Sequence, residues 1–281
     1  MRIQLDWFDE RLSERVTAVA AGQLLPAVPR DAATVMVIRP TAGPPADAVE
    51  VLMLRRPAAM AFAPGAYVFP GGSVDAADGD PGIGWWGPDP AEFGERLGCS
   101  AEQARTLVCA AVRETFEESG VLLAGGPDGS PAVPNPSLED DRAALAAGSV
   151  TFAEMLSRRG LVLLAGLLTP WARWITPEAE PRRFDARFFA APLPPGQSAI
   201  GHLAEADHTA WLRPEAAIEA ARTGSMTLLP PTATTLNEFA SCGGVTRILG
   251  RRRTIAPVMP RLMVEDGAAW LVIPDEADYP L

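Results

Sequence analysis

The stretch Arg113-Glu114-Thr115-Phe116-Glu117-Glu118-Ser119-Gly120-Val121, together with Phe69-Pro70-Gly71-Gly72 further upstream, decides the fold of this chain. Its three glutamates stand at positions i, i+3 and i+4, so on a helix they share one face and can converge on a hard divalent cation. A glycine pair after a strand lets the backbone turn sharply and expose carbonyl oxygens. The two segments together indicate metal-assisted chemistry at a phosphate.

The glutamates lie on a segment with helix signals at both ends. Ser100 with Gln103 forms a capping-box pattern, and Gly120 stands where a helix-terminating glycine belongs. An apolar stripe at helical spacing faces away from the charged side. The stripe comprises Val108, Ala111, Val112, Thr115 and Phe116. The sequence therefore predicts one helix that begins at Ser100 and ends at Gly120.

Hydrophobic periodicity and turn residues predict the other elements. Strands are predicted at residues 34–38, 49–54, 67–69, 187–191, 208–212, 251–258 and 268–273, and helices at 90–97, at two places between 138 and 159, and at 214–222 and 231–240. This order predicts an α/β fold in which helices flank a mixed sheet. We expect one domain at residues 33–245 with insertions at about 73–99 and 125–160. Residues 1–32 form an N-terminal extension, and residues 246–281 supply C-terminal strands that pack on the same domain.

Composition and charge exclude several classes of function. The 281 residues carry a formal charge of −11, and a long-range negative field repels nucleic acids and anionic membranes. All 24 basic residues are arginine, so a P-loop lysine, a Schiff-base lysine and a lysine general base are excluded. Cys99, Cys109 and Cys242 are odd in number and widely spaced, which argues against a disulfide framework or a zinc knuckle.

The sequence predicts a cytoplasmic protein. Residues 1–10 carry charges where a signal peptide needs an apolar run, and the apolar segment 161–168 is too short to span a bilayer. The bias towards Ala, Gly, Pro and Arg is typical of coding in a GC-rich bacterial genome. We therefore expect a soluble protein with neither a membrane nor a nucleic-acid partner.

A Gly-Gly turn after a strand, followed by a helix that reads Arg-Glu-x-x-Glu-Glu-x-Gly, resembles the Nudix box of the Nudix hydrolases. Without that context, a glutamate-rich turn is most often a solvated face. The resemblance implies an α/β/α sandwich and diphosphate hydrolysis with Mg²⁺ or Mn²⁺. It assigns Glu117 and Glu118 as principal metal ligands and the Gly71 carbonyl as a third oxygen. It makes Glu114 a ligand or the base that activates water, while Arg113 orients the carboxylates by a bidentate contact.

The box is interrupted in this chain. The family pattern is a glycine, five residues, a glutamate and seven residues before Arg-Glu, whereas Gly72 precedes Arg113 by 41 residues, 27 more than the pattern. The first glutamate of the pattern has no clear equivalent, since counting back from Arg113 reaches Arg105, and Thr115 takes an expected apolar position. An interrupted box is similar to one branch of the family, typified by a mammalian peroxisomal enzyme that cleaves CoA and acyl-CoA esters.

Five further residues are candidates for the site. Glu205 lies six residues before a tryptophan, a spacing like that of a late acidic ligand or base in some Nudix enzymes. Arg55 and Arg56 end a predicted strand, where they can grip a phosphate. Arg182 and Arg183 are candidates for binding an extra nucleotide phosphate. The alternative for each is an exposed loop or strand-end charge, or a structural turn for the last two.

Two other patterns have simpler interpretations. Gly82-Ile83-Gly84-Trp85-Trp86-Gly87 matches Gly-x-Gly-x-x-Gly, but it follows no strand and precedes Pro88-Asp89-Pro90, which interrupts a helix. We expect Trp85 and Trp86 to pack the insertion against the domain or a second subunit, so a homodimer stays open. His202 and His208 are expected to be structural or exposed rather than metal-binding.

The resulting hypothesis is metal-dependent hydrolysis of a P-O-P linkage in a small-molecule nucleoside diphosphate derivative. The preferred substrate is CoA or acyl-CoA, which would yield 3′,5′-ADP and (acyl-)4′-phosphopantetheine. ADP-ribose, NADH, nucleotide sugars and damaged nucleotides are alternatives, because the box specifies the cleavage machinery and not the leaving group. A catalytically silent module that senses a nucleotide or mediates assembly is an alternative of another class.

Overall fold

The computed structural model describes residues 1–5, 10–43, 48–58, 63–199 and 208–281. Its strands are β1 (Arg2–Gln4), β2 (Arg30–Pro40), β3 (Val49–Arg55), β4 (Tyr67–Val68), β5 (Gly71–Ser73), β6 (Trp85–Trp86), β7 (Ala124–Gly125), β8 (Val162–Leu164), β9 (Thr169–Ile175), β10 (Phe184–Pro192), β11 (His208–Leu212), β12 (Pro257–Val258), β13 (Arg261–Glu265) and β14 (Ala268–Val272). Its α-helices are α1 (Glu10–Ala20), α2 (Pro90–Leu97), α3 (Ala101–Ser119), α4 (Pro136–Ala146), α5 (Phe152–Arg159), α6 (Pro214–Arg222), α7 (Pro230–Cys242) and α8 (Val245–Leu249).

The central sheet is mixed, as the sequence predicted. Its strand order is β11-β3-β2-β10-β9-β12, with β4 paired to β3 and β5 paired to β2. Strands β2 and β10 are parallel and place Arg30 opposite Phe184, whereas β3 runs antiparallel to β2. Strand β5 pairs with β2 through Gly71 opposite Thr34 and Gly72 opposite Ala33. The glycine pair predicted as a turn therefore lies in strand β5, after a bend at Pro70, and the Gly-Gly turn below denotes this bend together with Gly71 and Gly72.

Both faces of the central sheet are buried. Along β2, Val35 and Val37 pack on the face covered by α3, whereas Met36 and Ile38 pack on the face covered by α6, α7 and α8. Successive side chains of a strand point to opposite faces, so a strand buried on both sides reads as a continuous apolar run. This arrangement confirms the predicted α/β/α sandwich.

The two ends of the chain form a second sheet with the order β1-β14-β13. Arg2 stands opposite Val272, and the amino group of Met1 bonds Asp275 at 2.8 Å. The predicted strand at 251–258 is wrong for most of its length, since only Pro257–Val258 is extended. In this segment the guanidinium of Arg253 bonds the carboxylate of Glu238 on α7, with nitrogen to oxygen distances of 2.9 and 2.7 Å.

One strand of the first predicted insertion and the two strands that border the second form a small third sheet. Strand β6 from the first insertion pairs in parallel with β8, which also pairs with β7. A Cβ added to Gly129 would lie 2.4 Å, and one added to Gly166 2.9 Å, from the ring of Trp86. Trp85 stacks edge-to-face on Phe93, with ring centroids 5.9 Å apart. Trp86 thus packs the first insertion against residues 129 and 166, whereas the contact of Trp85 with Phe93 lies within the first insertion.

The glycines of the Gly-x-Gly-x-x-Gly pattern allow this close packing. A Cβ on Gly84 would lie 2.4 Å from the Val162 side chain, and one on Gly87 would lie 2.4 Å from the backbone nitrogen of Gly166. The segment forms a turn and a short strand rather than a strand-to-helix crossover, so it lacks the geometry of a dinucleotide site. In the described part of the chain, no helix is both long enough and apolar enough to cross a membrane.

Candidate active site

Helix α3 carries the three glutamates and is capped at both ends. The Oγ of Ser100 accepts a hydrogen bond from the Gln103 backbone N-H at 3.1 Å, and Gly120 ends the helix with a left-handed φ of 72°. The Gln103 side chain does not return to the cap, because its Nε2 donates to Asp31 of β2 at 2.7 Å. The predicted capping box is therefore only half formed, because the Gln103 side chain bonds the Asp31 carboxylate instead of the helix cap.

The apolar stripe of α3 is buried as predicted and sets the direction of the glutamates. Its members Val108, Ala111, Val112, Thr115 and Phe116 are at most 2% exposed. Thr115 is tolerated among them because its hydroxyl donates to the Ala111 carbonyl one turn earlier at 2.7 Å. With this side packed on the sheet, Glu114 and Glu118 at the edge of the stripe reach Gly72 and Gly71 of β5.

Both glycines of the pair lie close to neighbouring atoms, and Gly71 is required by its approach to backbone. A Cβ on Gly71 would lie 2.5 Å from the Ala33 carbonyl oxygen and 2.7 Å from the Thr34 Cα, so β5 comes too close to β2 for a larger residue. A Cβ on Gly72 would lie 2.6 Å from the carboxylate of Glu114. The second glycine thus leaves space for a site carboxylate against the backbone.

A hydrogen bond joins the two halves of the site, which are 47 residues apart in the sequence. The Oε2 of Glu118 accepts a hydrogen bond from the backbone N-H of Gly71 at 2.8 Å. The side chain of Glu114, which lies against Gly72, is 14% exposed, and that of Glu117 is 20% exposed. The structure therefore brings the three glutamates and the Gly-Gly turn to one partly covered place.

Arg113 is held by a carboxylate that the sequence analysis missed. Its Nε and Nη2 each lie 2.8 Å from the two oxygens of Asp78, a bidentate pair in which Asp78 is 2% exposed. Nη1 donates to Glu114 at 2.8 Å and lies 3.4 Å from Glu117. Nη2 also donates to the Ser73 carbonyl at 3.1 Å. The bidentate contact expected with the site carboxylates is thus made with Asp78, which fixes the guanidinium between Glu114 and Glu117.

Asp78 stands where the family pattern has its first glutamate. Counting six positions forward from Gly72 reaches Asp78, whereas counting back from Arg113 reached Arg105. The expectation that this position has no equivalent is corrected, because an aspartate fills it and the inserted residues follow it. We propose that the insertion begins after residue 78 rather than at about 73, which would keep Asp78 within the box. A forward count from the glycine pair was the signal that could have found it.

Burial makes Glu114 an unusual acid. Desolvation raises its pKa from 4.5 to about 7, Arg113 opposes this rise, and the negative charges of Glu117 and Asp78 add to it. Arg113 itself has a raised pKa despite its burial, because Asp78 and Glu114 stabilise its charge. Glu114 thus has two negative neighbours, Glu117 and Asp78, and one positive neighbour, Arg113. This excess of negative charge favours the binding of a cation.

The raised pKa of Glu114 predicts a pH-dependent stability of the metal-free protein. A carboxyl whose pKa is higher in the folded state favours folding below its unfolded pKa, and this contribution is lost as the pH rises from about 4.5 to about 7. We expect the free energy of unfolding in EDTA to fall across this window relative to Glu114→Gln, as measured by urea unfolding. A constant difference between the two proteins from pH 4.5 to 7 would contradict the assigned pKa shift.

The space beside Gly72 gives a second prediction. In Gly72→Ala the methyl group would displace the flexible Glu114 carboxylate, since the Cβ would lie 2.6 Å from it. We expect activity to fall by about 10²-fold, because a small displacement of a reacting group is that costly, while the melting temperature changes little. Gly43→Ala is the matched control, because a Cβ there meets nothing within 4 Å. Equal activity of the two variants would show that the Glu114 position is unimportant.

The donors at the site suit a hard divalent cation. Carboxylate and carbonyl oxygens are the ligands that Mg²⁺ and Mn²⁺ prefer, and Glu114, Glu117, Glu118 and Gly71 supply only oxygen. Within the residues that the structure describes, no three His, Cys, Asp or Glu side chains already surround a common point. The fit of these residues to a divalent cation therefore rests on their oxygen donors and on the uncompensated negative charge around Glu114.

The remaining candidates near the sheet edge are placed as follows. Arg55 is the last residue of β3, where it pairs with Tyr67 of β4 and with His208 of β11. Its side chain is exposed. Tyr67, its partner on β4, precedes Gly71 by four residues in the sequence. The backbone of Arg56 exchanges hydrogen bonds with the 65–66 turn. Glu205 lies outside the described residues, as does His202.

Arg182 and Arg183 lie at the start of β10, away from the Gly-Gly turn along the sheet. Arg183 is 7% exposed, and its guanidinium donates to the carbonyls of Ala27 at 2.8 Å and Thr176 at 3.0 Å. These contacts favour the structural turn over phosphate binding for Arg183. Arg182 is exposed.

This arrangement of sheet, Gly-Gly turn and glutamate helix defines the class of Nudix hydrolases. The fold is similar to that of a crystal structure of a Nudix hydrolase from Alicyclobacillus acidocaldarius, with a TM-score of 0.68 and 28% identity over 81% of this chain and 98% of that one. Residues 91–238, more than half of the chain, match the family described as the NUDT19 Nudix domain. The chain belongs to this family.

Two curated relatives carry the same family name. The chain is 30% identical over 228 residues to the acyl-coenzyme A diphosphatase NUDT19 of Homo sapiens, covering 68% of this chain and 60% of that protein. It is 31% identical over 226 residues to the protein of that name from Gallus gallus, covering 65% of this chain and 58% of that protein. The chain thus spans no more than 60% of the length of these relatives.

Proposed function

We propose that this protein hydrolyses the P-O-P linkage of CoA or acyl-CoA in a reaction that depends on Mg²⁺ or Mn²⁺. The observation that carries the proposal is the meeting of Glu118 with the Gly71 N-H and of Glu114 with Gly72, which joins the two halves of an interrupted Nudix box. The choice of CoA rests on the similarity to proteins named acyl-coenzyme A diphosphatase. The products would be 3′,5′-ADP and (acyl-)4′-phosphopantetheine.

The protein's own residues would act by position and charge. Arg113 holds Glu114 and Glu117 through one guanidinium nitrogen, while Asp78 fixes that guanidinium from the other side. Glu114, in the covered position beside Gly72, can accept a proton from the attacking water. The water oxygen joins one phosphorus, the bond from that phosphorus to the bridging oxygen breaks, and the bridging oxygen stays on the other phosphate.

A divalent cation at Glu117, Glu118, Glu114 and the Gly71 carbonyl would neutralise phosphate charge and lower the pKa of bound water. Glu118 keeps its place through the Gly71 N-H, so the glutamate and the turn position each other. Arg55, at the end of β3, and Glu205 are proposed as further contacts to phosphate and water. Arg55 and Glu205 lie outside the Nudix box, so the proposed site is larger than the box.

The test is a panel of diphosphate compounds incubated with the purified protein and read by mass spectrometry. CoA, acetyl-CoA, ADP-ribose, NADH and a nucleotide sugar are compared under equal metal. We expect CoA or acetyl-CoA to have the highest kcat/KM and to release 3′,5′-ADP. Preferential cleavage of another member would replace CoA as the substrate, and binding without turnover of any member would instead favour the nucleotide-sensing module.

A further inference from the structure

A buried arginine of the second insertion is bonded to the end of the glutamate helix. Helix α4 turns Leu138, Arg142 and Leu145 towards the protein interior, and these residues recur at helical spacing. Both leucines belong to the core that also contains Phe116 of α3. Arg142 is 1% exposed, although arginine is rarely buried so deeply unless it is paired. One arginine thus interrupts an apolar stripe on the helix that packs beside α3.

The guanidinium of Arg142 makes contacts with two residues. Its Nη1 donates to the backbone carbonyl of Glu117 at 3.1 Å, and its Nε lies 3.0 Å from each carboxylate oxygen of Glu139. The Glu139 side chain is 47% exposed, so this carboxylate balances the arginine's charge while it stays in contact with water. Of these two contacts, only the one with Glu117 joins α4 to α3.

The carbonyl of Glu117 lies in the last turn of α3, where a helix lacks donors of its own. The last four carbonyls of an α-helix have no intrahelical partner. The Val121 N-H, four residues after Glu117, donates to the Ser119 hydroxyl at 3.3 Å. Arg142 therefore supplies this carbonyl with a donor from another helix. A cation at the C-terminal end of a helix is also favoured by the helix dipole.

The same turn carries two of the proposed metal ligands. Glu117 and Glu118 are adjacent in the sequence, and the Oε2 of Glu118 accepts from the Gly71 N-H at 2.8 Å. The turn is thus held at two places, by α4 at the backbone of Glu117 and by β5 at the carboxylate of Glu118. Groups that orient metal ligands from outside the ligand set contribute to the affinity for the metal.

We propose that Arg142 is a positioning residue of the metal site. Through the Glu117 carbonyl it fixes the last turn of α3, and so it keeps the carboxylates of Glu117 and Glu118 in place for a divalent cation. The inference rests on the proposed function for the metal. An apolar residue at position 142 would continue the stripe of Leu138 and Leu145 but could not bond Glu117. The second insertion then acts on the metal site through the backbone of α3.

The test compares Arg142→Met with Asp141→Asn, a matched control at the neighbouring position of α4. Arg142→Met keeps a long apolar side chain and removes the donor to Glu117. Asp141 bonds Arg158 at 3.1 Å and also bonds Arg159, both on α5. Asp141→Asn therefore weakens the second insertion and leaves the bond between α4 and α3 intact. Arg142→Leu is a second variant that also lacks the donor.

Titration of the substrate-free protein with Mn²⁺, followed by electron paramagnetic resonance, measures the dissociation constant of the metal without turnover. We expect Arg142→Met and Arg142→Leu to raise this constant by about tenfold, the lower end for loss of an outer-shell partner. The lower end is expected because Arg142 contacts the backbone of Glu117 and not its carboxylate. Asp141→Asn should leave the constant unchanged. Melting curves identify the variants that are folded at the temperature of the titration.

The outcomes separate the role of Arg142 from the proposed reaction. An unchanged constant in a folded Arg142 variant, or an equal rise in Asp141→Asn, would overturn the positioning role. A wild-type protein that binds Mn²⁺ but cleaves no CoA would overturn the reaction, while a selective loss of Mn²⁺ affinity in the Arg142 variants would still support the positioning role. A wild-type protein that binds no Mn²⁺ would overturn both.

Discussion

Glu118→Gln is expected to lower kcat for diphosphate hydrolysis by about 10³-fold, a loss of roughly 4 kcal/mol of transition-state stabilisation. The substitution keeps the shape of the side chain, and the amide oxygen can still accept the Gly71 N-H that Glu118 accepts at 2.8 Å. Only the negative charge of a proposed metal ligand is removed. Glu117→Gln should have an effect of the same order. Steady-state kinetics at saturating Mg²⁺ measure both.

The control for this prediction lies on the same helix. Glu102→Gln removes a carboxylate from the exposed first turn of α3, so it changes the net charge equally but leaves the site intact. We expect its kcat to stay near that of the wild-type protein. A loss of less than about tenfold in both Glu117→Gln and Glu118→Gln would exclude these residues as principal metal ligands.

Asp78→Ala is expected to be the most destabilising substitution in the site. It leaves the guanidinium of Arg113, whose side chain is 13% exposed, without its bidentate partner. Breaking a buried ion pair by removing one member costs about 3–5 kcal/mol, and we expect the lower end of this range because Nη1 of Arg113 keeps its contacts with Glu114 and Glu117. Urea unfolding measures this cost, and activity should fall too, because Arg113 would no longer be fixed between Glu114 and Glu117.

Asp140→Ala supplies the matched control for Asp78→Ala. Asp140 lies on the exposed side of α4, and substitutions at such positions usually change stability by less than about 0.5 kcal/mol. If Asp78→Ala were as stable as Asp140→Ala, the Asp78 pair would not be what holds Arg113. Asp78→Asn tests the charge alone, since it keeps the size of the side chain.

The local signals of the sequence predicted helix α3 well, whereas the glycine pair predicted as a turn lies in the short strand β5 after a bend at Pro70. Ser100 and Gly120 marked the two ends of α3, and the apolar stripe predicted the side that packs on the sheet. The mixed sheet followed from β-branched runs and from their alternation with helices. These features depend on residues that are close in sequence, where capping, periodicity and glycine geometry decide the structure.

Features set by distant contacts were not predictable in the same way. The pairing of β1 with β14 joins the two ends of the chain, and the two-residue strands β6 and β7 pair with opposite sides of β8. Asp78 was missed because a count back from Arg113 crosses the inserted residues, although a forward count from Gly72 reaches it. The buried role of Arg183 likewise depends on Ala27, far away in the sequence.

The central claim is that the glutamates of α3 and the turn at Gly71-Gly72 form one metal-dependent diphosphate-cleaving site. The most direct measurement is the rate of CoA cleavage by the wild-type protein in Mg²⁺ and in EDTA, with products identified by mass spectrometry. The predicted result is equal amounts of 3′,5′-ADP and 4′-phosphopantetheine in Mg²⁺ and none in EDTA. Equal rates of CoA cleavage with and without metal, or cleavage at a bond outside the diphosphate, would contradict the claim.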